Sequence, residues 1–237
     1  MIPIGDSGRV PIVPVVVYGL ILANVYVFAR EFTAPVPDTF INAFATVPYD
    51  ITHNIVLGPP SPPWPIATLV TSQFLHGGVL HLVFNMLFLL VFGPDIEYAC
   101  GHVRFLLFYL ACGTIGGATQ VLIGPGSHVP SIGASGAIAG VLGAYIVTFP
   151  TNSIRTVVPI GCFPLLLRLP AVLVIGVWAA VQFISGFGTA SARHPAEQGG
   201  IAYFAHIGGF LAGIFLIGAF RLRGSTAAGR RFRLYYR

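Results

Sequence analysis

The sequence contains no lysine: all twelve basic residues are arginine. Acidic residues number only seven, and charged residues fill 8% of the 237 positions, against about 25% in an ordinary soluble domain. So few charges cannot clothe a hydrated surface. With 55% hydrophobic residues and a mean hydropathy of +0.84, the chain reads instead as a polytopic membrane protein. Cys100, Cys112 and Cys162 form no paired spacing and no C-x-x-C, so neither a disulfide framework nor a zinc site follows from them. No cleavable export signal is evident. The first apolar run follows only Asp6 and Arg9, is too long for a signal core, and leads to no A-x-A-like site. There is no tandem repeat.

About 20 apolar residues are needed to cross the hydrocarbon. Candidates are Pro11–Ala29, Ile66–Phe92, Phe105–Ile123, Ser135–Phe149, Leu165–Ser185 and Tyr203–Phe220. The expected fold class is therefore all-α, a bundle of six transmembrane helices. Between the first two spans, "TAPVPDTF" and "GPPSPPWP" are too rich in proline for one continuous helix and predict an irregular, membrane-adjacent loop.

Arginine placement sets the orientation. Under six spans, Arg9, Arg104, Arg155, Arg168 and the cluster from Arg221 to Arg237 fall on one side, with Arg30 and Arg193 on the other. The positive-inside rule then puts both termini in the cytoplasm. The arginine-rich tail, residues 223–237, reads as a cytoplasmic anchor near anionic lipid rather than a nucleic-acid site. This orientation brings Ser135 and His206 to a similar depth near the non-cytoplasmic side. The span that starts at Ser135 rises only about 22 Å, short of a hydrocarbon core about 30 Å thick. A sunken, wet pocket above Ser135 is predicted, because loop backbone at that depth needs protein or water beside it.

Within "FLHGGVLHLVFN", His81 and Asn85 lie four apart and share a helix face, whereas His76 is expected to point elsewhere. Such a pair serves either as interhelical hydrogen-bond glue or as donors to an oxyanion. In "AHIGGFLAG", Gly209 and Gly213 make a small-residue face that matches Gly136 and Gly140 in the fourth span. Close packing alone explains those glycines, and a serine–histidine hydrogen bond between two helices requires the same closeness.

Elimination narrows the chemistry. None of the seven acidic residues falls within the spans assigned above. Paired buried carboxylates for an aspartyl protease are thus not expected, nor is the acidic residue a proton-coupled carrier commonly uses. No histidine is followed by glutamate, so the H-E-x-x-H of a zinc intramembrane protease is absent. A Ser-His-Asp triad cannot be assembled at depth either. What remains is a Ser135–His206 dyad in which a neutral histidine acts as base without a carboxylate to orient it.

These residues resemble the rhomboid intramembrane serine proteases from about residue 71 to 213. "HGGVLHLVFN" is similar to the family's second-span signature, "GASG" (Gly133 to Gly136) to its nucleophile motif and "AHIGG" to its sixth-span motif. "IEYACGHVRFLLFY" is similar to its E-x-x-x-G-x-x-R segment. The resemblance implies a rhomboid-like membrane domain over residues 1–222, with Ser135 as nucleophile and His206 as base. It implies an oxyanion hole built from His81, Asn85 and the Ser135 backbone N–H. Glu97, Gly101 and Arg104 would tie the cytoplasmic connection, Asp95 and Glu97 being otherwise solvated interfacial charges. Substrates would be single-span membrane proteins cut in or near the span at small residues, with no metal or cofactor and with the site open to the non-cytoplasmic side. The compact form, with no transit peptide evident, points to a bacterial inner membrane.

Two positions depart from the family pattern. Ala67 and Thr68 stand where a Trp-Arg pair is common, and Ala139 stands where some members stack an aromatic on the histidine, which leaves Phe204 or Phe210 to hold the ring. A catalytically inactive relative that binds membrane clients is accordingly the alternative. A third reading, a channel or transporter, finds no acidic pathway residue in the assigned spans.

Overall fold

The computed structural model describes residues 1–6, 10–160, 163–190 and 202–222. Arg9, Cys162, Arg193, Glu197 and the tail at 223–237 lie outside the described residues. Strand β1 (Ile2–Asp6) leads into helix α1 (Val15–Thr33). Two short helices, α2 (Pro37–Phe44) and α3 (Pro48–Thr52), follow, and a turn of helix α4 (Thr68–Thr71) is flanked by 3-10 turns. Then come α5 (Val79–Cys100), α6 (His102–Ile123), α7 (Ser135–Thr148), the hairpin β2 (Ser153–Ile160) and β3 (Phe163–Pro170), α8 (Ala171–Ala190) and α9 (Tyr203–Phe220). Among the described residues, α1, α5, α6, α8 and α9 are long and apolar enough to cross a membrane, and α7 is a shorter apolar helix.

The molecule is thus mostly helical rather than all-α. Strands β1, β2 and β3 form an antiparallel sheet in that order, with Arg155 opposite Arg168. The reason lies in the prolines. Pro164 and Pro170 both disfavour a helix across this stretch, and Leu165–Pro170 pairs with β2 as a strand. Helix α8 begins only at Ala171, where the amides of Ala171 and Val172 donate to the carbonyls of Asn152 and Pro150 at 2.8 and 3.0 Å.

The expected second span is likewise redrawn. Its first part folds as short turns, the Gly77-Gly78 pair interrupts the helix, and α5 then runs through Pro94 to Cys100. Gly101, at φ +78°, supplies the left-handed residue that separates α5 from α6. In the proline-rich loop, Pro37 and Pro48 stand at the starts of α2 and α3, where a missing N–H costs nothing.

Helix α7 is the axis of the bundle, and nearly all of its side chains are buried. It packs against α5, α6 and α9, and the largest fully buried residues include its own Leu142 and Tyr145 together with Phe92 of α5 and Phe105, Phe108 and Tyr109 of α6. A Cβ at Gly209 would overlap the carbonyl of Gly136, and one at Gly213 the carbonyl of Gly140. The paired glycine faces therefore bring two backbones into contact.

The buried acids lie in helices, contrary to the sequence-based expectation. Glu31 ends α1, and Asp95 and Glu97 belong to the last turns of α5. Asp95 and Glu97 are 2% and 0% exposed, so they are not solvated interfacial charges. Glu97 accepts hydrogen bonds from the amides of Val16 and Val17 at 3.0 and 2.8 Å and contacts His102. It thereby satisfies orphan donors in the first turn of α1. Hydrophobic periodicity alone overlooks this, because a carboxylate is tolerated inside only when such partners meet it.

Candidate active site

The residues around Ser135 are held from three directions. Ser131 and Thr46 exchange backbone hydrogen bonds, and the Gly133 amide donates to the Ser72 carbonyl at 2.9 Å. Gly133 has φ +122°, and a Cβ there would lie 2.8 Å from His81 Cε1. Only glycine fits both the conformation and the neighbour. Ser135 follows as the first residue of α7. Its N–H belongs to the first helical turn, where no helical carbonyl reaches it and the dipole favours negative charge.

His206 enters from the first turn of α9, 8% exposed. Its Nε2 lies 2.7 Å from Ser135 Oγ, inside the range for a nucleophile and its base. Its other ring nitrogen, Nδ1, lies 2.7 Å from Gln182 Oε1 on α8. The ring also approaches Trp178, with centroids 6.0 Å apart. Trp178 and Gln182 therefore stand against the ring where the sequence suggested Phe204 or Phe210. Phe204 pairs with Phe187 instead, and Phe210 meets Trp178. Trp178 and Gln182 are four apart on one helix, a spacing legible in the sequence, but nothing there tells which face of α8 meets α9.

A cavity of about 650 Å³ opens over the dyad, lined by residues that include His81, Asn85, Ser135, Trp178 and His206. The Gly77 amide donates to His81 Nδ1 at 3.4 Å, which leaves the proton on Nε2, the atom facing Gly133. Asn85 Nδ2 is buried and has no partner among the described residues. Donors from α5 and from the start of α7 thus line one cavity.

His76 does not point away from this group. It precedes the helix, so helical spacing does not govern it, and its ring meets that of His81 edge-on at 5.1 Å. Burial, and then the neighbouring His81, push its pKa down to about 4. Both oxygens of Glu31 accept from its backbone amide, at 3.2 and 3.3 Å. Gly101 donates its amide to the Glu97 carbonyl at the end of α5. Arg104 is exposed on the first turn of α6 and forms no ion pair with a described residue. No cluster of three potential metal ligands occurs among the described residues.

Comparison with known proteins identifies the family. A rhomboid domain model matches residues 63–223. The chain is 34% identical to the Bacillus subtilis protein named rhomboid protease GluP, over 69% of this chain and 28% of that protein. It is 32% identical to RHOMBOID-like protein 4 of Arabidopsis thaliana, over 70% of this chain and 40% of that one. A shorter match, 35% identical over 78 residues, is to inactive rhomboid protein 1 of Drosophila melanogaster and covers 33% of this chain and 5% of that protein. The chain spans well under half the length of each of these relatives. A domain match over more than half the sequence, on a multi-span helical bundle with Ser135 and His206 in contact, makes this chain a member of the rhomboid family.

Proposed function

We propose that the protein is an intramembrane serine endopeptidase that cleaves single-span membrane proteins in or near their spans. The observation that carries this reading is the 2.7 Å contact between Ser135 Oγ and His206 Nε2 beneath an open cavity. Ser135 Oγ attacks the scissile carbonyl carbon while its proton passes to His206 Nε2. The carbonyl oxygen becomes an oxyanion, which the Ser135 N–H, His81 Nε2–H and Asn85 Nδ2–H stabilise. The imidazolium then gives its proton to the departing amine, leaving an acyl-enzyme. Water, deprotonated by the same imidazole, releases the second product and restores Ser135.

The arginine asymmetry supports a site facing the non-cytoplasmic side and termini in the cytoplasm. The short α7, about 21 Å at 1.5 Å per residue against a hydrocarbon core of about 30 Å, supports a wet pocket above Ser135.

A fluorophosphonate probe should label the purified protein at Ser135, and Ser135→Ala should abolish labelling and cleavage of a helix-destabilised single-span substrate. Cleavage that persists in Ser135→Ala would end the proposal. The second reading, an inactive client binder, draws on Ala139, on the absent Trp-Arg pair and on the match to an inactive rhomboid. It predicts that the wild-type protein retains the substrate without cutting it.

A further inference from the structure

A serine–histidine pair without a third member leaves the imidazole free to turn and to carry its proton on either nitrogen. Only one tautomer serves as a base. Nε2 faces Ser135 Oγ and must keep its lone pair, so the proton must sit on Nδ1. The group that meets Nδ1 is the Gln182 amide oxygen, at 2.7 Å, and an amide oxygen can only accept.

Gln182 is 9% exposed. It also lines a second, largely apolar cavity of about 170 Å³, whose walls include Phe88, Phe92, Leu142 and Trp178. A lone carboxamide in such walls is costly unless a strong partner takes it up, and His206 is that partner. Trp178, one helical turn earlier, stands beside the same ring.

We infer that Gln182 is a positioning residue for the base. It holds His206 in the Nδ1–H tautomer with Nε2 aimed at Ser135, and so replaces the carboxylate of a conventional triad. An uncharged acceptor supplies orientation while avoiding the burial of an anion. Turning the amide over would present its NH₂ to Nδ1, drive the proton to Nε2 and leave Ser135 without a base. The inference rests on the protease reading above, through the roles it gives Ser135 and His206.

The test compares wild type, Gln182→Met, Gln182→Glu and Ser135→Ala as purified full-length proteins in detergent. The readouts are kcat and KM on a helix-destabilised single-span substrate, the rate of fluorophosphonate labelling, and the thermal unfolding midpoint. Methionine keeps the length of the side chain and removes the acceptor. Gln182→Met should lose at least about tenfold in kcat and in labelling rate, a conservative share of what a general base contributes, with KM within about twofold because no substrate contact is removed. Gln182→Glu restores an acceptor and should recover kcat to within about threefold of wild type, as expected if it is the acceptor that fixes the tautomer.

A Gln182→Met protein with wild-type kcat overturns the inference, and so do Met and Glu variants equally impaired, which would mean that only packing matters. Should Gln182→Met not fold, Gln182→Ala, which enlarges the adjoining cavity rather than crowding it, is measured against Gln182→Glu by the same criteria. The two levels of failure are separable. Activity in Ser135→Ala withdraws the protease reading itself, whereas a silent Ser135→Ala beside a fully active Gln182→Met removes only the role of Gln182.

Discussion

Gly213 of α9 lies against the carbonyl of Gly140 in α7 so closely that a Cβ at position 213 would overlap it. The obstruction is backbone, which cannot rotate aside as a side chain would. Gly213→Ala should therefore push α9 away from α7 and lower stability by about 1–3 kcal/mol, as overpacking does. Since His206 rides on α9 and Ser135 on α7, the labelling rate of Ser135 should fall with it. Gly218 on the same helix has nothing within 4 Å of where a Cβ would stand, so Gly218→Ala is the control and should be neutral or slightly stabilising. Thermal unfolding and probe labelling of both variants decide the matter, and equal behaviour would mean that the close approach is not needed.

Asn85 supports a second prediction. Its Nδ2 is buried without a partner among the described residues, in the wall of the cavity that holds Ser135 and His206. An unspent donor is useful only if a charge arrives to accept from it. Asn85→Leu should leave folding and KM nearly unchanged and reduce kcat by about 100-fold, the scale of one lost oxyanion donor. A fall in affinity at constant kcat would instead make Asn85 a substrate-binding residue.

Glu97 acts at the opposite end of the fold. Its carboxylate receives the amides of Val16 and Val17, so Glu97→Ala strands two donors in the first turn of α1. The expected loss is about 2 kcal/mol, in the range for hydrogen bonds to a charged group, and should appear as a lower unfolding midpoint. Because α1 carries none of the reacting groups, kcat of the folded fraction should stay at the wild-type value.

How much of this was legible beforehand depends on the kind of signal. Span Tyr203–Phe220 has the same bounds in sequence and structure, because its hydropathy is uninterrupted. Ser135, His206, His81 and Asn85 stood out because polar residues are rare in such runs and must face something inside. The β2–β3 hairpin was not legible: Leu165–Pro170 is apolar apart from Arg168, hydropathy does not tell such a strand from the start of a helix, and the contrary signals were Arg168, Pro164 and Pro170. Gln182 was passed over for a different reason. A glutamine within a span is an unremarked polar residue until the neighbouring helix shows which atom it meets. Glu97 and Asp95 were placed outside the membrane helices because the sequence displays their charge but not the α1 amides that await one of them.

His76 gives a prediction about pH. Its ring is buried, and the backbone of Phe74 only partly offsets the cost of charging it there. The folded-state pKa of about 4 lies below the unfolded value of about 6.5. Between these values the unfolded chain binds the extra proton, so stability rises with pH. The contribution is complete above about pH 6.5 and is lost as the pH falls toward 4. At about 1.4 kcal/mol per pH unit, the whole window amounts to a few kcal/mol. Thermal unfolding in detergent, followed from pH 7.5 down to 4, should therefore show a steeper fall for wild type than for His76→Gln. The amide does not titrate, and the variant keeps the backbone contact to Glu31, so the difference between the two curves isolates the ring. Parallel curves would mean that the His76 ring protonates as readily in the folded protein as in the unfolded chain.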